Sequence, residues 1–300
     1  WSLAAVAACM GWLFGSWALP PLRSGTLLRI DMLDVGDGTC HLVRSGNESL
    51  LWDCGTLSVA GPRSGIVSAV RALGTGRVPT AVVTHPDLDH FGALPDLVGP
   101  LGIERVLVSA RFIEEMKNSP RSAAAEAGRL LESRGVEFVT VNAGDQITLG
   151  DCTLRFASPM REATFEKDND HSLVAQASCD AFGTRPMLLL TGDVEDAAIA
   201  ALRDGDQVQS PAVLELPHHG SARAAAIEWV GQVLRPDLVL QSTGIRRAHD
   251  ARWEGVRAGR EWLCTALDGA AWVEFGALGR VTHGSMLHRA EHELRASRAE

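Results

Sequence analysis

The stretch VVTHPDLDHFGALPDL, residues 82–97, contains two histidines and two aspartates within six positions: His85, Asp87, Asp89 and His90. They follow an apolar, β-branched run at 80–85 that is typical of a buried strand. A divalent cation requires several imidazole and carboxylate ligands that converge from a compact turn, and this segment offers four. The segment predicts a metal site at the end of a strand; a solvated loop is the alternative.

Two more polar clusters follow apolar runs. Asp193 comes shortly after MLLL (187–190), and His218 and His219 follow AVLELP (212–217). One carboxylate at a strand end can bridge two metal ions, and adjacent residues on an extended segment point in opposite directions, so we expect one of the two histidines to face the site. Each cluster alone also fits a solvated turn. Because all three lie at strand ends, where α/β proteins place their sites, we interpret them as one metal centre.

Short strands and helical segments alternate along both halves of the chain after residue 26. This alternation predicts an α/β (α+β) protein with two sheets packed together and helices outside. The predicted strands are 27–35, 39–45, 49–55, 80–85, 104–110, several within 136–158, 172–178, 187–193, 212–221, 237–243, 262–265 and 271–275. The predicted helices are 62–74, 91–98, 121–134, 195–203, 223–234 and 251–259, and the polar residues 277–300 are expected to form a tail.

The first nineteen residues carry no charge. As a helix they would extend about 28 Å at ~1.5 Å per residue, close to the ~30 Å thickness of a bilayer core. Trp1 and Trp17 lie near the two ends, where interfacial aromatic residues are common. We therefore expect a transmembrane helix at 1–20. A signal peptide would have a basic start and an initiator Met, and a buried soluble helix would have a polar face.

The composition limits the classes of function. The formal net charge of −9 argues against a non-specific nucleic-acid binder, which usually has a basic surface. It does not exclude a nucleic-acid enzyme, since metal-binding carboxylates contribute to that sum. The six cysteines have no CxxC spacing, which indicates buried thiols and not a zinc ribbon or a disulfide framework.

The motifs resemble, in kind and order, those of the metallo-β-lactamase-like domain of the ComEC/Rec2 competence proteins. They are LDVGDGT (33–39), LLWDCG (50–55), THPDLDHFGAL (84–94), DNDHSLV (168–174), LLLTGD (188–193) and LPHHGS (216–221). The resemblance implies an αββα sandwich at 27–276 with its site at one edge between the sheets. It also implies that the helix at 1–20 is the last of a longer, polytopic channel for single-stranded DNA.

The resemblance also implies which residues hold metal. His85, Asp87, Asp89 and His90 match an HxDxDH motif, in which Asp87 stands where most hydrolases of this fold have His. Asp193 matches the metal-bridging Asp, and the HHGS motif supplies His219 with His218 as its neighbour. His171 stands where generic relatives have a further ligand. His249 lies near the position of a GHP motif, but its flanking residues differ.

The activity implied is cleavage of the non-transported DNA strand during natural transformation, with two divalent ions. Mixed imidazole and carboxylate ligands suit Zn²⁺ or Mn²⁺, and Asp87 favours Mn²⁺. In such a site Asp193 bridges the ions, while Asp89 supports one of them and orients the nucleophile. The family places the domain at the bacterial inner membrane on its outer face, whereas Arg23 and Arg29 favour the cytoplasmic face by the positive-inside rule.

Some residues depart from the family pattern or take other roles. Asp37 and Thr39 replace Gln and Asp of the usual LDVGQGDA motif, which predicts a different rate or substrate choice. Asp53 is expected to orient a ligand histidine. Arg246, Arg247 and Arg252, beside His249, either contact phosphates or form a solvated helix start. Ser221 and Ser242 have no acid–base partner apart from the metal histidines, so a serine nucleophile is not expected.

Two other functions remain open. One is a hydrolase of the same fold that acts on a thioester, a lactam or a small phosphodiester. The other is a structural metal-binding domain that organises the channel, which predicts tight metal binding without turnover and a closed ligand shell.

Overall fold

The computed structural model describes residues 22–57, 62–288 and 292–295. The transmembrane helix expected at 1–20 lies outside the described residues. Within the described ranges, every helix is too short or too polar to cross a membrane.

A nine-stranded sheet is formed by the first six strands and the last three of the described residues, in the order β16-β15-β14-β1-β2-β3-β4-β5-β6. Pairing is antiparallel from β16 to β3 and parallel from β3 to β6. The strands are β1 (Thr26–Met32), β2 (Cys40–Ser45), β3 (Glu48–Cys54), β4 (Thr80–Val83), β5 (Arg105–Val108), β6 (Glu137–Thr140), β14 (Ala271–Gly276), β15 (Arg280–Ser285) and β16 (His292–Arg295).

The second sheet has seven strands, ordered β13-β12-β11-β10-β9-β8-β7 among the described residues. Its strands β10 to β13 are parallel, and β7 to β10 are antiparallel. They are β7 (Gln146–Leu149), β8 (Cys152–Ser158), β9 (Val174–Ser178), β10 (Leu188–Leu190), β11 (Val213–Glu215), β12 (Leu238–Gln241) and β13 (Glu261–Cys264).

The helices connect the strands. They are α1 (Pro62–Ala72), α2 (Leu88–Phe91), α3 (Leu94–Leu101), α4 (Ala110–Asn118), α5 (Ala123–Ser133), α6 (Asp196–Asp204), α7 (Ala224–Glu228), α8 (Ile245–Ala248), α9 (Glu254–Arg257) and α10 (Thr265–Asp268). A π-helical turn, Trp229–Leu234, continues α7, and 3₁₀ turns span Asp168–His171, Pro217–Gly220 and Ala251–Trp253.

Three apolar layers hold these elements together. The layer between the sheets includes Ile30, Trp52, Phe156 and Leu240. The outer face of the first sheet packs on α1 to α5, and that of the second packs on α6, α7 and the segments that follow. The predicted order of helix, sheet, sheet and helix is therefore confirmed. Cys40, Cys54, Cys152, Cys179 and Cys264 are free and buried, as their spacing indicated.

The structure differs from the sequence prediction in several places. The helix predicted at 91–98 is two helices, α2 and α3, which meet at Gly92 and Ala93. The helix α4 was not predicted because its nine residues bury only Phe112, and they follow directly on β5. The sheet also continues past residue 276, where the sequence placed the end of the domain. The side chains of β15 are mostly polar, and backbone pairing with β14 makes it a strand.

Candidate metal centre

The three polar clusters meet at one edge of the sandwich. His85 lies two residues after β4, Asp193 three residues after β10, and His218 and His219 follow β11. Because β3 and β4 are parallel and β10 to β12 are parallel, their carboxyl ends share an edge of each sheet. These residues therefore lie together at one edge between the sheets, which is where the sequence placed the site.

His90 lies at the centre of the cluster and is fully buried. Its Nε2 is 3.1 Å from Asp193 Oδ1 and 3.1 Å from His219 Nε2. His219 Nε2 is also 3.3 Å from Asp89 Oδ2 and 3.5 Å from Asp193 Oδ2. Ligand atoms around a tetrahedral zinc ion are separated by about 3.3 Å, given metal–nitrogen distances of ~2.0–2.1 Å. The observed distances therefore match those of a metal-binding set.

Two groups of ligand atoms fit a metal ion among the described residues. One consists of His85, His90 and Asp193, and the other of Asp89, His90 and His219. In each group the ligand atoms lie within 4.8 Å of one another, and His90 is common to both. Five of the residues predicted to bind metal are thus brought together, from both sheets.

His85 tests whether these residues fit a cation. Its imidazole is fully buried, and its Nε2 has no hydrogen-bond partner in the described part of the chain. The nearest carboxylate oxygen, Asp87 Oδ2, is 3.4 Å away on a half-exposed side chain. A buried nitrogen without a partner costs free energy unless another group satisfies it. A metal ion would satisfy this nitrogen, so the donor set fits.

The electrostatics of the cluster also favour a cation. Burial raises the pKa of Asp89, but the hydrogen bond to His219 and the charges of His90 and His219 outweigh it, and the pKa falls to about 2. Burial opposes the charged form of His90, yet the charges of Asp193 and Asp53 raise its pKa well above the usual value. The carboxylates therefore create a negative potential at the site.

Asp53 fixes the orientation of His90. It is fully buried at the end of β3, and its Oδ2 lies 2.8 Å from His90 Nδ1. Both of its carboxylate oxygens accept hydrogen bonds from Thr84, from the backbone N–H at 2.8 Å and from the hydroxyl at 3.0 Å. A carboxylate on the far nitrogen of a ligand histidine sets its tautomer and ring orientation. The contact predicted for Asp53 is confirmed.

The two adjacent histidines lie in a left-handed turn. His218 and His219 have φ values of 51° and 55°, and Gly220 follows at 84°. Non-glycine residues adopt this region at a cost in free energy and mainly where the surroundings enforce it. The extended segment predicted here is therefore wrong, because three side chains from later elements hold the turn. The carbonyls of His218, His219 and Gly220 accept hydrogen bonds from Arg247 Nη1, Gln241 Nε2 and Trp253 Nε1, at 2.9, 3.2 and 2.8 Å.

The turn gives the two rings different positions. His219 is buried, its Nδ1 lies 3.0 Å from the carbonyl of Ser242, and its Nε2 faces the ligand groups. His218 has a side chain that is 20% exposed, and its Nε2 lies 3.7 Å from Asp193 Oδ2. The expectation that one of the pair faces the site holds for His219, while His218 lies at the opening.

Four predicted site residues lie outside both ligand groups of the described chain: Asp87, His171, His218 and His249. Asp87 lies near His85 but is half exposed. His171 Nε2 is 3.1 Å from the carbonyl and 3.2 Å from the amide nitrogen of Phe165. His249 is exposed at the end of α8.

The DNDHSLV segment contributes through residues that the sequence did not single out. Asp170 Oδ1 accepts hydrogen bonds from the backbone N–H groups of Glu195 and Ala198, so it caps the helix that follows Asp193. Ser172 Oγ accepts a hydrogen bond from the backbone N–H of Asp193 at 3.2 Å. These contacts fix the Asp193 segment. The only signal in the sequence for Asp170 and Ser172 was that both lie inside the DNDHSLV motif.

Two departures from the family motif lie beside the cluster. Thr39 Oγ1 is 3.3 Å from His219 Nδ1, so a neutral hydroxyl stands where the family has a carboxylate. Asp37 is exposed, and its carboxylate lies against the backbone of Gly244. The effect of both on rate or substrate choice stays a prediction.

Comparison with known proteins agrees with this geometry. The family model of the metallo-beta-lactamase superfamily matches residues 33–164. Competence protein ComA of Neisseria gonorrhoeae is 29% identical over 258 residues, which cover 84% of this chain and 32% of that protein. ComE operon protein 3 of Bacillus subtilis is 24% identical over 230 residues, which cover 72% of this chain and 28% of that protein. The chain is similar to competence proteins over most of its length, and it spans about a third of theirs.

Solved structures show the same fold. Unliganded yeast PDE1 superimposes with a TM-score of 0.51 at 11% identity, over 83% of this chain and 99% of that one. Tm1679, a metal-dependent hydrolase of the beta-lactamase superfamily, superimposes with a TM-score of 0.50 at 15% identity, also over 83% and 99%. At these identities the comparison establishes a mixed α/β fold of the metallo-β-lactamase type.

Proposed function

We propose that this chain is a metal-dependent phosphodiesterase that cleaves single-stranded DNA, as the hydrolase domain of a competence protein. The observation that carries the proposal is the convergence of two ligand groups, which share His90, at the edge between the sheets. The similarity to two competence proteins supports DNA as the substrate class that we propose. The broader conclusion is that the chain is a hydrolase of this fold. The more specific proposal is that its substrate is DNA.

The proposed ligands are His85, His90 and Asp193 in one set and Asp89, His90 and His219 in the other. Because Nδ1 of His90 contacts Asp53, only its Nε2 is free to hold an ion, so His90 would serve one ion. With two ions, Asp193 would be the shared ligand, since its two oxygens face His90 and His219. When bound, such ions supply Lewis acidity and a hydroxide nucleophile at neutral pH. The side chain of Asp89 is 24% exposed, more than the other residues of its group. The exposed part of the Asp89 carboxylate is therefore placed to orient a water molecule that enters from solvent.

The openness of the cluster favours catalysis over a structural role. A structural metal site has a closed shell of protein ligands, whereas a catalytic site keeps a position for water or substrate. Asp89, Asp87 and His218 all have exposed side-chain area beside the buried ligands, at 24%, 50% and 20%. This opening is where we place the scissile phosphate.

Arg246 is our candidate for a contact with the DNA backbone. It is exposed on α8, which packs against the left-handed turn of His218 and His219. Arg247 already bonds the carbonyl of His218, and Arg252 already bonds the carboxylate of Asp250. An arginine beside the opening provides a planar donor set for a phosphate.

The relatives are about three times as long as this chain. Because of this similarity, we extend the proposal to the membrane protein in which such a domain would act. We propose that the domain acts with a polytopic membrane channel at the bacterial inner membrane, on its outer face, and degrades the strand that is not transported. A protease-protection experiment on intact spheroplasts distinguishes the outer face from the cytoplasmic face.

The test of the activity is cleavage of end-labelled single-stranded DNA by the purified chain with Mn²⁺ or Zn²⁺. Asp89→Asn removes a ligand charge and is expected to lower the rate at least about 100-fold, as is chelation with EDTA. Asp96→Asn is the matched control, because Asp96 is an exposed aspartate of the same segment outside both ligand groups. Equal rates for Asp89→Asn and the unmodified chain would refute the assignment. A metal-loaded protein that does not cut DNA would leave only the broader hydrolase.

A further inference from the structure

A buried polar pair joins the two sheets beside the metal centre. His41 on β2 and Glu215 on β11 are 0% and 4% exposed, and His41 Nε2 lies 2.7 Å from Glu215 Oε1. The pair belongs to different sheets, in a layer whose other members are mostly apolar. Burial of a carboxylate and an imidazole in such a layer costs free energy unless all their polar atoms are satisfied. The position therefore suggests a role other than packing.

The second oxygen of Glu215 contacts the turn that carries Asp193. Glu215 Oε2 accepts hydrogen bonds from the backbone N–H groups of Thr191 at 2.8 Å and Gly192 at 3.1 Å. The hydroxyl of Thr191 donates to the backbone carbonyl of Glu215 at 2.9 Å. Three hydrogen bonds thus tie Glu215 to the two residues that directly precede Asp193.

The turn that carries Asp193 is tightly packed. Gly192 has a φ of 53°, and a Cβ added there would lie 2.9 Å from Thr84 Cβ, so the chain bends sharply and passes close to the end of β4. The carbonyl of Gly192 accepts a hydrogen bond from the backbone N–H of His218 at 3.0 Å. A shift of this turn would therefore move both Asp193 and the left-handed turn that carries His219.

We propose that Glu215, held by His41, is a positioning residue that aims the Asp193 carboxylate at His90 and His219. The proposal rests on the metal site assigned above, and it adds a role for two side chains that contact no ligand atom. Outer-shell partners of this kind commonly change metal affinity or activity by about 10–100-fold when they are removed.

The charge of Glu215 is consistent with this role. Burial raises the pKa of the carboxyl, but the hydrogen bond and charge of His41 and the N–H groups of Thr191 and Gly192 outweigh it, and the pKa is lowered. The positioning itself requires an acceptor oxygen for the two N–H groups, which the amide oxygen of Gln also provides. Glu215→Gln is therefore the conservative variant, whereas Glu215→Leu removes the acceptor and keeps the volume close.

The experiment measures Mn²⁺ affinity by calorimetry and backbone amide exchange at Thr191 and Gly192, both without DNA. We expect Glu215→Leu to bind Mn²⁺ about 10–100-fold more weakly and to exchange the two amides faster, while Glu215→Gln stays close to the unmodified chain. Asp31→Asn is the matched control, because Asp31 is equally buried and bonded by Arg29 and Arg44 in the first sheet. It should lower the Tm without changing either readout.

The proposal would be overturned if a folded Glu215→Leu protein kept its Mn²⁺ affinity or its amide exchange rates at Thr191 and Gly192. It would also be overturned if Glu215→Gln bound Mn²⁺ as weakly as Glu215→Leu. If Glu215→Leu does not fold, His41→Asn carries the test, since it removes the anchor of Glu215 and is expected to weaken Mn²⁺ binding and speed the same exchange. Unchanged Mn²⁺ affinity and unchanged amide exchange in His41→Asn would then overturn the proposal. A chain that binds Mn²⁺ but leaves DNA intact would refute the proposed nuclease and not this inference.

Discussion

His90 is the residue on which both ligand groups depend. It belongs to the group of His85 and Asp193 and to that of Asp89 and His219. We therefore expect His90→Gln to reduce the metal content of the purified protein, measured by inductively coupled plasma mass spectrometry. His171→Gln is the matched comparison, because the His171 ring bonds the backbone of Phe165 and lies outside both groups of the described chain. Loss of metal from His171→Gln would instead restore it as a ligand.

At this scale the sequence identifies candidate ligands better than the residues that support them. His85, Asp89 and His90 were found because their residue types and spacing are unusual after a strand. The roles of Asp170 and Ser172 were not found, because each bonds the backbone of residues more than twenty positions away. Such contacts depend on the tertiary fold and have no local spacing rule.

The left-handed turn at His218 and His219 is an element whose shape is set by its neighbours. Its local sequence, PHHGS, contains a single glycine, so two histidines adopt positive φ only because later elements bond their carbonyls. The strand that precedes the turn was predictable from its apolar run, but the turn was not, since Gln241 and Arg247 follow it by more than twenty residues.

Adjacent arginines on α8 allow a test of this element. Arg247→Met keeps an apolar stem but removes the donor to the carbonyl of His218, and one such hydrogen bond contributes about 0.5–1.5 kcal/mol. We expect roughly two- to tenfold weaker Mn²⁺ binding, measured by calorimetry. Arg246→Met should leave Mn²⁺ affinity unchanged and weaken binding of single-stranded DNA, measured by fluorescence anisotropy in the presence of Ca²⁺. If the two variants weaken metal binding equally, the hydrogen bond does not support the site.

For the whole molecule, the order of layers was predictable because strand and helix periodicities alternate along the chain. The sequence did not reveal β15 and β16, because this part of the sequence is mostly polar and resembles a tail. Their identity as strands comes from backbone pairing to β14 and to each other. The position of the site was predictable, because the strand ends of an α/β sandwich converge at one edge of the sheets. Its electrostatics were not, since they arise from carboxylates of both sheets.

The proposed metal ligands come from both halves of the sandwich, so metal binding should stabilise the whole fold. His85, Asp89 and His90 follow β4 of the first sheet, whereas Asp193 and His219 follow β10 and β11 of the second. A ligand that binds only the folded state at 100 times its Kd adds about 2.7 kcal/mol of stability. For a domain of this size that raises the Tm by roughly 5–10 °C.

We therefore expect the Tm, measured by calorimetry, to rise by this amount with saturating Mn²⁺ and to return to its initial value with EDTA. His90→Gln is the control, because both ligand groups lose a member and the shift should disappear. The stabilisation arises from ions that connect the carboxyl ends of strands in different sheets, so it should appear as one cooperative transition at the higher temperature. A metal that binds but leaves the Tm unchanged would bind the unfolded chain as tightly as the folded one, and it would contradict a ligand set that the fold assembles from both sheets.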